Sequence, residues 1–379
     1  MNLTIEKDAE KVLKKIHENF QSESQADIYT KLVAMKEDIQ KNGDKAVLSY
    51  TQTFDKVDTS SFSMQVSPEE FKAACKQVDK VFIKALKEAK VNLTKFHKYQ
   101  KPKSWLKQKK NGISYGMQYR AIESVGLYVP GGRAPYPSTV LMNAIPAKLA
   151  NVPNLVMITP PLADGSISPQ VLVAADICGI DQVYKVGGAQ GVFGIAFGTE
   201  SLPKVDKIVG PGNVYVNTAK QMVYGTVDID KPAGPSEVMV YVDDLNYVRF
   251  AVAELLAQLE HDPDAIAVCV SENQDVLKAI QTEFPKQAEL CKRKSIIEQS
   301  VKNTYLLEAD SRAQVIDLMN AVASEHLVLL IDNYQSVVKK INHAGAIFCG
   351  PYTPVTLGDY IAGPNHVLPT GGTARFSSP

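Results

Sequence analysis

From Ser124 onward the chain keeps a regular beat. Short apolar runs rich in β-branched residues alternate with longer runs at helical spacing. SVGLYVP is followed by STVLMNAIPAKLA, NLVMITP by SPQVLVAADICG, QVYKV by QGVFGIAFG, and VDKIVG by NVYVNTAKQMVYG. A strand buried on both faces reads as a continuous apolar run, and parallel strands need a long crossover between them. The alternation therefore predicts an α/β fold built on a parallel sheet with helices on both faces. The beat pauses at VDIDKPAGPSE and resumes with VMVYV, NYVRFAVAELLAQLE, AIAVCVS, NQDVLKAIQTEF, a further polar helix, NTYLLEA and RAQVIDLMNAVASE. Two α/β units are expected, about 125–235 and 236–350, divided at the Pro-Ala-Gly-Pro turn of residues 232–235.

Residues 1 to about 110 have a different texture, rich in Lys, Glu, Gln and Ala. AEKVLKKI, DIYTKLVAMKEDIQ and EEFKAACKQVDKVFIKALKEAKVNLTKFH read as amphipathic helices. Near Gly112 the text turns alternating, and GISYGMQYRAIESVGLYVP reads as two strands. Two domains also suit 379 residues.

Charge and cysteine usage exclude some functions. Lys plus Arg equals Asp plus Glu at 41 each, which leaves no basic excess for a nucleic-acid surface. The N-terminus lacks the apolar core of a signal peptide, and no run approaches the ~20 apolar residues of a membrane span. The five cysteines, Cys75, Cys178, Cys269, Cys291 and Cys349, form no CxxC pair. A reduced, cytoplasmic compartment is expected. Each cysteine sits in apolar or helical text, so none reads as a nucleophile.

Three strand-to-helix junctions of the first unit carry glycine: VPGGRAPYPS (129–138), VGGAQG (186–191) and VGPGN (209–213). Ligands of open α/β sheets bind at the carboxyl ends of strands, where such loops lie. Glycine lets backbone amides approach an anion, and it also simply makes tight turns. None of the three is a GxGxxG. Their recurrence at equivalent positions favours a ligand face, where Tyr128, Gln190 and Asn213 can hydrogen-bond a ribose or an amide.

Other candidates fall later. Gln258 and His261 share a helix face at i, i+3, where both can ligate a metal; a histidine there also complements a helix dipole. Glu325 and His326, at the end of an apolar helix, suit acid/base work, or are a polar pair at a helix end. GDYIAGPNHVLPTGGTARFSSP brings Asp359, Asn365, His366 and Arg375 into one loop-like stretch. His17 and His97 lie in polar helical text and read as surface residues.

Taken together, VGLYVPGGRAPYPSTVLMNAIPAKLA, VGGAQG, KIVGPGNVYV, AGPSE, QLEHDPDA, SEHL and AGAIFCGPYTP…GDYIAGPNHVLPTGGTARFSSP resemble the histidinol dehydrogenase family, in family order across 124–379. The resemblance implies NAD-dependent four-electron oxidation of L-histidinol to L-histidine through L-histidinaldehyde, in a homodimer of Rossmann-like subunits with shared active sites. It implies Zn2+ held by Gln258, His261 and Asp359, a catalytic pair in Glu325 and His326, substrate contacts at Ser236 and His366, and NAD contacts at Tyr128, Gln190 and Asn213. It divides the chain into a helical region at 1–122 packing on the second unit, an NAD-binding unit at 123–235, a zinc and substrate unit at 236–350, and a site loop at 351–379. In the family that loop continues into a helical segment carrying a fourth zinc ligand and a substrate-contacting glutamate. Neither is in this sequence, so weak zinc binding and impaired turnover are expected. A decayed dinucleotide- or metal-binding homologue is the alternative reading.

Overall fold

The structure is a computed structural model and describes residues 3–20, 25–60, 63–131, 135–232 and 234–378. Part of the first glycine loop (132–134) and Ala233 of the boundary turn lie outside the described residues. The strands are β1 (Ile5–Glu6), β2 (Trp105–Gln108), β3 (Ser114–Met117), β4 (Ser124–Tyr128), β5 (Asn154–Ile158), β6 (Gln182–Tyr184), β7 (Lys207–Val209), β8 (Asp228–Ile229), β9 (Glu237–Val242), β10 (Ile266–Ser271), β11 (Thr304–Glu308), β12 (His326–Leu330) and β13 (Ala346–Cys349). They belong to two units. The first is Ser24–Pro232 with Asp359–Val367; the second is Met1–Glu23, Ala233–Gly358 and Leu368–Pro379.

The first unit holds a parallel sheet in the order β6-β5-β4-β7-β8. Successive side chains of a strand point to opposite faces. In β5, Leu155 and Met157 enter one apolar cluster while Val156 and Ile158 enter the other. Both faces are therefore covered, which is why these strands read as unbroken apolar runs. Helices Pro137–Leu149 and Pro169–Cys178 cover one face, and Gly188–Phe197 and Val214–Val223 cover the other.

The second unit repeats the plan in the order β1-β11-β10-β9-β12-β13, again parallel. In each sheet the strand that opens the strand–helix alternation, β4 or β9, lies centrally, with the strands that follow it added on either side. This is the Rossmann-like arrangement, and it places a switch point between β4 and β7 and another between β9 and β12.

Three expectations are corrected. HLVLL is strand β12, not the end of an apolar helix. The helix Arg312–Val322 stops at Ala323, which takes a left-handed conformation (φ 50°), and Ser324 Oγ donates to the His326 carbonyl. A short apolar run has no periodicity to separate a buried strand from a buried helix. The N-terminal region does not pack as a whole on the second unit. Ile28, Leu32, Met35 and Ile39 of the long helix Gln25–Asp55 join the first unit's core, where that helix packs on Gly188–Phe197 and Val214–Val223; the helix Pro68–Gln77 packs on Pro169–Cys178, and Lys80–His97 packs on Pro137–Leu149. Only residues up to 23 join the second unit, with β1 at the edge of its sheet. His97 is buried rather than a surface residue, and its Nδ1 meets Gln100 Oε1.

Candidate active site

In the second unit the candidate residues gather at the amino edge of the sheet. Ser236 immediately precedes β9 and Glu325 immediately precedes β12, whose first residue is His326; these two strands are neighbours, with His326 opposite Val238. The helix Val248–Leu259 leaves the far end of β9 and returns to this edge, so its last turn brings Gln258 there, with His261 just beyond. His326, Glu325 and Gln258 are all buried. His326 Nδ1 lies 2.9 Å from Gln258 Oε1 and 3.8 Å from Glu325 Oε2. Both facing atoms are acceptors, so Nδ1 carries the proton and Nε2 is the basic nitrogen of the neutral ring. Partial desolvation holds the His261 pKa below the ordinary histidine value; Arg293 adds to this, and Glu260 and Asp262 oppose it.

In the first unit the candidates lie at the carboxyl edge, around the switch point. Tyr128 ends β4; its hydroxyl accepts from Gly188 N at 3.3 Å, and burial pushes its pKa up. Gln190 is buried in the first turn of the helix Gly188–Phe197, with Nε2 3.4 Å from Asp55 Oδ2. Asn213 caps the helix Val214–Val223: its Oδ1 accepts from Tyr215 N and Val216 N, both at 3.1 Å. That leaves its exposed amide NH2 as a donor.

The glycines here serve close packing. A Cβ on Gly131 would meet Pro160 Cγ at 2.4 Å, and one on Gly187 would meet Pro160 Cβ at 2.5 Å. Gly210 has φ +116° and would meet the Tyr128 carbonyl at 2.1 Å. Behind this last loop, buried Lys220 pairs with Asp230 and donates to Gly210 O at 2.8 Å; Asp230 Oδ2 accepts from Gly210 N at 2.8 Å.

The segment Asp359–Val367 is fixed within the first unit. Asn92 Nδ2 donates to Ile361 O (2.8 Å) and Asn365 Nδ2 to Met142 O (2.9 Å). Asp359 sits in a π-turn, Gly358–Ala362, a geometry common at functional sites. His366 Nδ1 donates to the Asp359 carbonyl at 2.9 Å, which leaves Nε2 as the acceptor nitrogen of the neutral ring. Asn365 also accepts from Val367 N, and Arg375 donates to Gly372 O, so both support the backbone.

All five cysteine thiols have raised pKa values, chiefly through burial. Cys178 and Cys269 are buried and pushed up to about 12. Cys75 is exposed, contrary to expectation, yet partial burial and Asp176 raise its pKa too.

Sequence reading missed three carboxylates. Glu237 opens β9, fully buried; burial pushes its pKa up to about 8 against three backbone N–H bonds. Glu254, one turn before Gln258, accepts from Val355 N at 3.2 Å and is raised to about 7 by burial. Asp55, beside Gln190, is raised to about 6 by burial. For Glu237 a signal was present: an acidic residue opening an otherwise apolar strand.

A family model for histidinol dehydrogenase matches residues 18–379. The chain is 46% identical over 373 residues to the histidinol dehydrogenase of Clostridium acetobutylicum, covering 98% of this chain and 86% of the other. It is 45% identical over 370 residues to that of Lactococcus lactis subsp. lactis, covering 97% and 86%. The crystal structure of histidinol dehydrogenase from Elizabethkingia anophelis superposes with a TM-score of 0.91 at 37% identity, covering all of this chain and 87% of that one. Fold and similarity together define an α/β oxidoreductase. The chain belongs to the histidinol dehydrogenase family, the enzymes that oxidise histidinol in histidine biosynthesis. Among the described residues no helix is long and apolar enough to cross a membrane.

Proposed function

We propose that the chain oxidises L-histidinol to L-histidine through L-histidinaldehyde, with two NAD as successive hydride acceptors. The observation that carries the reading is His326, whose Nδ1 donates to Gln258 Oε1 at 2.9 Å and so leaves Nε2 as the base, with Glu325 Oε2 3.8 Å from the same ring. His326 Nε2 takes the proton of the alcohol as hydride leaves carbon. Glu325 then takes a proton from water as its oxygen attacks the aldehyde, and the resulting hydrate loses the second hydride. Ser236 and His366 contact substrate. Tyr128, Gln190 and the Asn213 amide hold NAD, which supplies only the hydride chemistry.

The residues fit zinc in kind. The Gln258 amide oxygen keeps a lone pair beyond the one that accepts from His326, and His261 supplies an imidazole, so both are metal donors in kind. Among the described residues no three His, Cys, Asp or Glu side chains gather as a metal cluster. The proposed set is different in type: the Gln258 amide oxygen, His261 and the Asp359 carboxylate. Zinc bound by them would hold the imidazole and amine of the substrate as a template. A cytoplasmic homodimer completes the reading.

The test is stoichiometry and partition. Zinc-loaded protein should form two NADH per histidinol consumed. Glu325→Gln should slow oxidation of added histidinaldehyde by about 10²-fold or more while leaving the alcohol step less affected. One NADH per histidinol in the native protein, or equal losses in both steps, would count against these roles.

A further inference from the structure

Glu237 has no part in the chemistry above, yet its placement bears directly on it. Its side chain is completely buried at the amino edge of β9. One carboxylate oxygen, Oε1, accepts from Gly372 N at 2.9 Å, and the other, Oε2, accepts from Gly371 N at 3.1 Å. The backbone N–H of Glu325 also bonds to this carboxylate. Three main-chain donors from two distant segments thus end on one side chain. No salt bridge accompanies them among the described residues.

The surroundings are fitted to this convergence. Gly371 and Gly372 both have left-handed φ, 64° and 68°, which turns their successive N–H groups to the same side. Gly234, two residues before Ser236, donates to Thr370 Oγ1 at 2.6 Å, and a Cβ on it would meet Gly371 Cα at 3.1 Å. On the other flank, a Cβ on Gly345 would meet the Glu325 carbonyl at 2.6 Å. Glu325 is therefore held at both of its main-chain polar groups, its N–H by Glu237 and its carbonyl by Ala346 N–H at 2.9 Å, while Gly345 N–H donates to the neighbouring Ser324 carbonyl at 3.0 Å.

We propose that Glu237 is a positioning residue of the reaction: one buried carboxyl group fixes the main chain of Glu325 and the Gly371–Gly372 turn against the strand that begins beside Ser236. The proposal rests on the catalytic reading of Glu325. A carboxyl group suits the task because both of its oxygens accept N–H bonds. Glutamine cannot replace it, since its NH2 would face a main-chain donor. Misplacement of Glu325 by a fraction of an ångström is felt most in the step where its carboxylate must meet water and aldehyde together.

The experiment compares wild type, Glu237→Gln and Glu237→Asp as full-length, zinc-loaded protein, by residue-resolved amide hydrogen exchange and by steady-state kinetics. Glu237→Gln should lose protection at Gly371, Gly372 and Glu325 together, with helix and strand amides elsewhere in the second unit unchanged. It should lower kcat for histidinaldehyde about 10–100-fold while KM for NAD holds. Glu237→Asp keeps two acceptor oxygens and should fall between the two, and it carries the test if the glutamine variant does not fold. Undisturbed protection at the three amides, a uniform rise in exchange across the unit, or unchanged aldehyde turnover despite exposed amides would overturn the proposal. The exchange measurement needs no turnover. A wild type inactive on histidinol would count against the proposed reaction and leave the exchange result standing.

Discussion

Gln258 Oε1 and His326 Nδ1 stand 2.9 Å apart, a buried contact between residues 68 positions apart in the chain. The amide oxygen has a second lone pair, so it can accept from the ring and still serve as a ligand. Gln258 thereby joins the proposed metal set to the proposed base. In 15N spectra of the histidine side chains near neutral pH, His326 should show a protonated Nδ1 and an unprotonated Nε2. The opposite tautomer would remove Nε2 as the acceptor of the alcohol proton.

Metal removal should separate fold from function. Chelation is expected to abolish NADH formation and leave the circular dichroism spectrum intact, with activity restored by zinc. His261→Ala should weaken zinc retention about 10-fold or more, read as zinc per chain after dialysis. Full retention in that variant would exclude His261 from the set.

Lys220 and Asp230 form a buried ion pair behind the Gly210 loop, with side chains 2% and 16% exposed. Lys220→Met strands the Asp230 carboxylate and removes the donor to Gly210 O. The cost should be about 3–5 kcal/mol, seen in denaturant unfolding, together with a raised KM for NAD. A stable variant with unchanged NAD kinetics would show that the pair does not set this loop.

Glu254 gives the stability a pH dependence of defined sign. Its carboxyl is raised from 4.5 to about 7 in the fold, chiefly by burial. The folded state therefore holds the proton more tightly than the unfolded state. Stability falls as pH rises from about 4.5 to about 7 and this contribution is level beyond. The full effect is on the order of 3 kcal/mol. Glu254→Gln can keep the bond from Val355 N and cannot ionise, so its unfolding free energy should lose that part of the slope. An unchanged slope would show that Glu254 titrates as an ordinary carboxyl.

Apolar runs and glycine punctuation made the two α/β units and most of their elements legible, because burial on both faces of a sheet leaves a local mark. The residues at the loops, Tyr128, Gln190 and Asn213, and the Gln258–His261 spacing were equally open to reading, since each is set by its immediate neighbours. β12 was not, because HLVLL carries no period. Nor was the edge of each sheet at which the candidate residues gather. The first unit places its candidates at the carboxyl ends of β4 and β7, and the second unit places its own at the amino ends of β9 and β12.

The sequence by itself determined the family, the residue types of the candidate site and the alternation of strand and helix. Only the tertiary structure decided that Gln258 meets His326, that Glu237 collects N–H groups from Glu325, Gly371 and Gly372, and that the N-terminal helices past residue 24 pack on the helices of the first unit. These are meetings between distant segments. They depend on strand order and on which face each helix covers, quantities that no short window of sequence carries.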